Sequence, residues 1–470
     1  MTVSESMRSE SMRSESMLSE STVSPASSDG PSASAGGHVA IVLYGSRGDI
    51  QPGVCLALEL QRRGRRVTVL APPNLTALAV DVGVDHVIPI GLDERGAWSS
   101  EEAIAANRRN PLSRWRFMIS TVRSGFTAFD DALVEAFLGD DAPLADVDGL
   151  VVAPLCQDRG LALADRLGVE MVVLRHGPMS ENGVVGALPA ATARWSPSAK
   201  RRTWRIADRI TWAVTGWNEN VFRRRLGLSA ERGPLPRRLA ERGICQIQAF
   251  DDVLFDGLSG EWGPTKPIVG FLDLPPENRR RLDEIDADSA DLAAWLAAGE
   301  APVFITFGSM ASPARDAALH CVTRAARRLG QRCLIAGEHR PETDDDGILV
   351  VGAVDHASVL PHCAAAVHHG GAGTTAATLR AGLPTMICAV TADQPLWAHR
   401  VRALGVGAAT RMSAVTEEGA YVALGSILTM SVRSAAADIA ARMTPPDRSV
   451  GAAADIVEDR VGVCRPPMDG

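Results

Sequence analysis

Residues 364–399 constrain this chain more than any other stretch. An apolar run ends in His368 and His369, followed by Gly-Gly-Ala-Gly-Thr-Thr and a segment of helical period. Gly382 and Pro384 then lead into a second apolar run over 385–390, and Asp393-Gln394-Pro395 follows. The order is strand, glycine-rich turn, helix, strand and polar loop, a unit of a wound α/β sheet. A glycine-rich turn at a helix start lets backbone N–H groups approach an anion, and the helix dipole adds positive potential there. The expected ligand is a phosphate or diphosphate. His369 adds a side-chain donor, and Asp393 and Gln394 stand where they can grip hydroxyls.

The same alternation recurs on both sides. Residues 38–44 (HVAIVLY) form a continuous apolar run typical of a buried parallel strand. The loop GSRGDIQP follows, then a helix expected near 53–63, with Pro52 in its first position. Further strands are expected at 66–70, 86–90, 149–153, 170–175, 244–249 and 267–271. Helical material is expected at 112–137 and near 157–168. Residues 176–240 depart from the pattern. Trp195, Trp204, Trp212 and Trp217 sit among arginines there, which reads as an amphipathic helical insertion with apolar surface toward a pocket. Those tryptophans serve either as core or as a stacking platform. The alternation restarts with strands at 302–307, 332–336 and 348–351 around a helix at 312–329, and helices follow the glycine-rich unit near 394–404 and 415–430.

The expected fold class is therefore α/β, with two Rossmann-like doubly wound domains facing a central cleft. A low-complexity, disordered tail occupies 1–37, where the pentad Ser-Glu-Ser-Met-Arg repeats. The first domain covers 38–272, an acidic linker 273–289 and the second domain 290–443. Residues 444–470 return to the first domain.

Composition excludes several classes. With 470 residues, 46% hydrophobic and 22% charged, the chain is long enough for two domains of ordinary globular character. A net charge of −8 gives no general affinity for nucleic acid or anionic lipid. The basic residues are arginines except for Lys200 and Lys266, which together with abundant Ala and Gly suggests a GC-rich coding genome. Eight cysteines are scattered without a C-x-x-C pair, which argues against a disulfide framework or zinc site and fits a reducing cytoplasm. No apolar run reaches the roughly 18 residues that span a bilayer, and no secretory h-region opens the chain. Two D-x-D patterns, at 286–288 and 344–346, read as solvated loops rather than metal sites.

HHGGAGTT followed by ADQP resembles the donor-sugar signature of the family 1 nucleotide-sugar glycosyltransferases. It is similar to the bacterial vancomycin-group antibiotic enzymes and the sterol glucosyltransferases. The resemblance implies the GT-B architecture and assigns roles by position. His369, Gly371, Gly373 and Thr374 would hold the donor diphosphate, with Ser309, after the Phe307-Gly308 turn, as a further contact. Asp393 and Gln394 would bind the transferred sugar, and Val354 and His356 would lie near the base and ribose. The GSRGD loop is where relatives carry the acceptor-activating residue, so Asp49 would be the general base. Arg47 and His176 would line the acceptor pocket.

Plain structural readings stand beside these roles. Asp49 also suits a helix N-terminus, Ser309 a cap, Asp393-Gln394-Pro395 a helix start and His176 an ordinary loop, and His368 is expected to face the core. The implied reaction is inverting transfer of a hexose from a UDP- or dTDP-sugar to a hydroxyl of a largely apolar small molecule. It would give a β-O-glycoside without cofactor or essential metal, in the cytoplasm, with no nucleic acid and no membrane insertion. Two alternatives remain open: a nucleotide-sugar epimerase of the same fold, and a non-catalytic homologue that activates a partner.

Overall fold

A computed structural model describes residues 37–92, 126–308, 313–337, 346–391 and 393–461. The low-complexity tail, Ser309, Asp344, Asp345 and residues 112–125 of the expected helical stretch lie outside these.

His38–Val42 (β1) is buried along its whole length, as a run without polar alternation must be when helices cover both faces of a parallel sheet. Arg66–Ala71 (β2), His86–Pro89 (β3), Gly149–Val152 (β4), Glu170–Arg175 (β5) and Cys245–Gln248 (β6) complete the first sheet. Its order is β3-β2-β1-β4-β5-β6, and every described pairing in it is parallel. The second sheet comprises Val303–Thr306 (β7), Cys333–Ala336 (β8), Ile348–Val351 (β9), Ala365–His368 (β10), Thr385–Ala389 (β11) and Gly407–Arg411 (β12). Its order, β12-β11-β10-β7-β8-β9, repeats the first in the opposite reading direction. In each sheet the chain reverses direction between two central strands, β1 and β4 or β7 and β10. Doubly wound sheets hold ligands at the carboxyl ends flanking such a point.

Three local expectations need correction. The first helix spans Arg47–Arg62 and not 53–63, so Pro52 lies inside it. Ser46 caps the helix and Asp49 closes the capping box, and that signal outranks the proline as a start. Residues 267–271 form no strand. Gln248 N–H bonds Pro267 O and Val269 N–H bonds Gln248 O, and the backbone then turns away at Gly270. Conversely, β12 (GAATR) was not anticipated, because its small and polar side chains carry no apolar run.

The two halves meet over a shared apolar seam. Phe250, Leu254, Phe255, Trp262 and Phe271 from the first pack with Ala376, Leu396, Trp397, Val401 and Ile439 from the second. Trp397 is fully buried, with ring centroids 5.9 Å from Phe255 and 5.6 Å from Phe271. The last described helix, Pro446–Val461, packs on the first sheet. Ala453, Ala454 and Val457 are fully buried there, and Arg63 holds Asp455 and Glu458 at 2.6 and 2.7 Å.

Apolar burial, rather than that charged rim, should hold the last helix in place. Val457→Ala is expected to lower the unfolding free energy by about 2 kcal/mol through lost transfer energy and a small cavity. Asp455→Asn, at an exposed ion pair, should cost less than about 1 kcal/mol. Chemical denaturation of both variants measures the difference.

Candidate active site

β1 ends beside the tightest turn of the first domain. Gly45 takes φ +122°, and a side chain there would bring a Cβ within 2.6 Å of Asp49 Oδ2. Only glycine lets the carboxylate fold back over the turn. Asp49 Oδ2 accepts from the Ser46 amide and from Ser46 Oγ, both at 2.8 Å. Its other oxygen, Oδ1, lies 3.2 Å from Nε2 of His176, the residue that follows β5. Asp49 is therefore both a helix cap and one half of an ion-paired couple.

The electrostatics follow from this geometry. Burial works to raise the Asp49 carboxyl, but the bond and charge of His176 and the two Ser46 bonds outweigh it, leaving the pKa below its ordinary 3.8. Burial works to lower His176, but the bond to Asp49 and the charges of Asp49 and Asp393 leave it above its ordinary 6.5. The couple thus adds stability between those two ordinary values. The Asp49 share is lost as pH falls through the depressed carboxyl pKa. The His176 share is lost as pH rises through the elevated imidazole pKa.

The glycine-rich turn follows β10. His368 is fully buried in the core, and its Nδ1 accepts from the Gly370 amide at 3.0 Å. His369 points into the turn. A Cβ at residue 371 would lie 2.8 Å from His369 Nε2, so the close approach of ring and backbone requires Gly371. Burial, partly opposed by Asp393 and the Thr306 backbone, holds His369 below its ordinary pKa. It is thus a neutral donor or acceptor at pH 7. Gly371 caps the helix Ala372–Arg380 without a side-chain bond. The amides of Ala372, Gly373 and Thr374 form the first turn and have no preceding helical carbonyl to bond. This is a ready anion seat.

Asp393 precedes the helix Gln394–Ala403, and its Oδ2 accepts from the Trp397 indole at 2.8 Å. Burial raises its carboxyl pKa, while the Trp397 bond and the charge of His176 work against the rise. Gln394 turns its carbonyl back onto the Val390 and Thr391 amides, at 2.8 and 3.3 Å. Its NH₂ group makes no protein hydrogen bond among the described residues.

Other expected positions fall differently. The Val354 side chain is only 5% exposed and packs with Leu334, Val359 and Leu360 in the core. His356 stacks edge-on to Phe304 and is pushed down to about 4, first by burial and then by Arg47 and His369. Arg47 is tied to the linker and to its own helix. Its guanidinium holds Glu284 of the linker at 2.5 Å and Gln51 at 3.1 Å. The apolar side chains of the expected insertion divide between surface and core: Trp195 and Trp217 are exposed, Trp204 is buried, and the Trp212 ring lies beneath Arg238. Asp286 accepts from the Asp288 amide in a linker turn. Among the described residues no three His, Cys, Asp or Glu side chains converge in metal-binding geometry.

The Asp49–His176 pair of the first domain lies near Asp393 of the second, because the backbone at Gly177 approaches the Trp397 ring, whose indole holds Asp393, so closely that a Cβ there would lie 3.5 Å from it. Sequence reasoning had placed His176 in a pocket without finding its partner, and it had missed Trp397 as the holder of Asp393. No spacing rule links residues 127 or 344 positions from Asp49. Gly45→Ala tests the fit of the turn. It is expected to cost about 1–3 kcal/mol of stability through backbone strain. Adding Asp49→Ala should cost less in that background than in the wild type, since it removes the clash that Gly45→Ala creates, and a denaturation double-mutant cycle reads the difference.

Comparisons with known proteins agree with this geometry. Residues 333–458 match the erythromycin biosynthesis protein CIII-like C-terminal domain. The chain is 36% identical over 429 residues to an uncharacterized glycosyltransferase of Mycobacterium tuberculosis, covering 89% of this chain and 98% of that one. It is 30% identical over 442 residues to glycosyltransferase GtfE of Amycolatopsis orientalis, covering 92% and 99%. The spinosyn rhamnosyltransferase SpnG in complex with thymidine diphosphate superposes with a TM-score of 0.57 at 20% identity, over 89% of this chain and 99% of that one. With its two facing doubly wound domains, its glycine-turn anion seat and relatives matched nearly end to end, this chain belongs to the family 1 glycosyltransferases of GT-B fold, alongside the vancomycin-group antibiotic enzymes.

Proposed function

We propose that the protein transfers a hexose, with inversion, from a UDP- or dTDP-sugar to a hydroxyl of a largely apolar small molecule, without a metal. The observation that carries this reading is the Asp49–His176 pair at 3.2 Å beside Gly177, whose backbone abuts the Trp397 ring that holds Asp393. The diphosphate would sit on the amides of Ala372, Gly373 and Thr374 beside His369, which would also stabilise charge on the leaving nucleotide. That is the work a metal does in other transferases, and it supports metal independence. The thymidine diphosphate bound to SpnG supports a nucleoside diphosphate in this seat. Asp393 and the free amide group of Gln394 would hold sugar hydroxyls.

Asp49 would draw the proton from the acceptor oxygen as that oxygen attacks C1 and the nucleotide diphosphate departs. A second reading of this step has specific support. Both Asp49 oxygens already accept bonds, whereas His176 spends only Nε2 on the pair. His176 would then take the proton through Nδ1, and Asp49 would steady the imidazolium.

Mass spectrometry of reactions pairing UDP-glucose and thymidine-diphospho sugars with sterols, phenols and macrolides should show a product heavier by one sugar, unchanged by EDTA. Asp49→Asn should lower turnover by about 10²-fold or more. Donor consumption without an adduct would indicate an epimerase or a hydrolase, and donor binding with no turnover a non-catalytic homologue.

The pH profile separates the two proton acceptors. We expect kcat/KM to fall on the acid side with a midpoint above about 6.5, and His176→Gln to abolish that limb. An acid limb confined to below the ordinary carboxylate value of 3.8 would leave Asp49 acting alone. Trp397→Phe should raise the donor KM about tenfold, the worth of one hydrogen bond to a charged group, and leave the acceptor KM unchanged.

A further inference from the structure

Eight of the fifteen large apolar side chains exposed among the described residues lie between Met179 and Val221. Five of them, Ile206, Ile210, Val214, Trp217 and Val221, lie on the 29-residue helix Pro197–Arg225. Their spacings of four, four, three and four residues place them on one stripe, about 22 Å long at 1.5 Å per residue. Ile210, Val214 and Trp217 are 61%, 65% and 57% exposed, so nothing among the described residues covers the stripe.

The charges on this helix are sorted. Its exposed side carries Arg202, Arg209 and Arg224, none of which makes an ion pair among the described residues. Its two carboxylates do not accompany them: Glu219 is buried against Arg238 at 2.6 and 2.7 Å, and Asp208 is half-buried. The helix as a whole has eight basic residues against two acidic, in a chain of net charge −8. The net charge that excludes lipid affinity for the whole chain does not describe this face.

We propose that the helix Pro197–Arg225 docks on the surface of a lipid bilayer bearing anionic head groups. Ile206, Ile210, Val214, Trp217 and Val221 enter the head-group boundary while the free arginines meet lipid phosphates. An apolar stripe flanked by unpaired cations alone complements such a surface on both counts. A second copy of the chain would instead bring the same arginines against one another. Among the described residues no single helix is long and apolar enough to cross a membrane, so the attachment is peripheral. Residues 176–196 join the Asp49–His176 couple to this helix, so docking would set the acceptor side of the cleft near the lipid. That corollary rests on the transferase reading, whereas the docking does not.

Flotation of the full chain with vesicles of mixed phosphatidylcholine and phosphatidylglycerol tests it, with pure phosphatidylcholine vesicles alongside. Three free arginines predict about a hundredfold preference for the anionic vesicles, reduced by added salt. The double variant Ile210→Glu/Trp217→Glu should lose binding and keep its circular dichroism and donor affinity, since both side chains are exposed. The triple variant Arg202→Gln/Arg209→Gln/Arg224→Gln should lose the anionic preference. Failure of the wild type to float, or flotation unchanged in both variants, would overturn the proposal. So would sedimentation showing a dimer that Ile210→Glu dissolves, because the stripe would then belong to a second copy. None of these results bears on sugar transfer, which the product assay reads separately.

Discussion

Much of this structure depends on one buried indole. Trp397 fills the seam between the two domains against Phe255 and Phe271, and its N–H holds the Asp393 carboxylate. The backbone at Gly177, next to His176, comes so close that a Cβ there would lie 3.5 Å from the Trp397 ring. Domain packing, the Asp393 carboxylate and the loop bearing His176 therefore share one support. Burial of a large aromatic is worth about 3–5 kcal/mol on truncation, while an exposed ion pair such as Arg47–Glu284 is worth about 1 at most. Apolar packing, more than the rim charges, sets the register of the two halves.

The acceptor side shows a residue meeting a structural and a chemical demand at once. Asp49 starts its helix by bonding Ser46 and also pairs with His176. The reading of Asp49 as a simple helix-terminal charge was thus correct as far as it went. The same bonds that cap the helix lower the carboxyl pKa and fix its rotamer, which pre-organises the couple. The turn after β10 needs little more than a helix start and the close approach of the His369 ring at Gly371, so its residues are nearly local in sequence.

That difference in locality explains what could be read in advance. The two doubly wound domains were legible because buried parallel strands leave continuous apolar runs, as in HVAIV and TMICA. The strand GAATR escaped notice because it lacks such a run, and the helix start was misplaced because Pro52 outweighed the Ser46–Asp49 capping pair. Two features were not legible in advance: the burial of the Val354 side chain and the tie of Arg47 to Glu284. Neither could be told from sequence, because burial and ion pairing depend on segments far away in the chain.

By itself, then, the sequence determined the α/β class, the glycine turn and helix start after His369, and the family, since these reside in short stretches whose backbone chemistry is self-contained. Only the tertiary structure decided that His176 pairs with Asp49, that Trp397 holds Asp393, and that the long helix turns an apolar, arginine-flanked stripe to solvent. Each of these joins or separates groups through the packing of whole sheets, and packing is set by the sum of many distant contacts rather than by any local pattern.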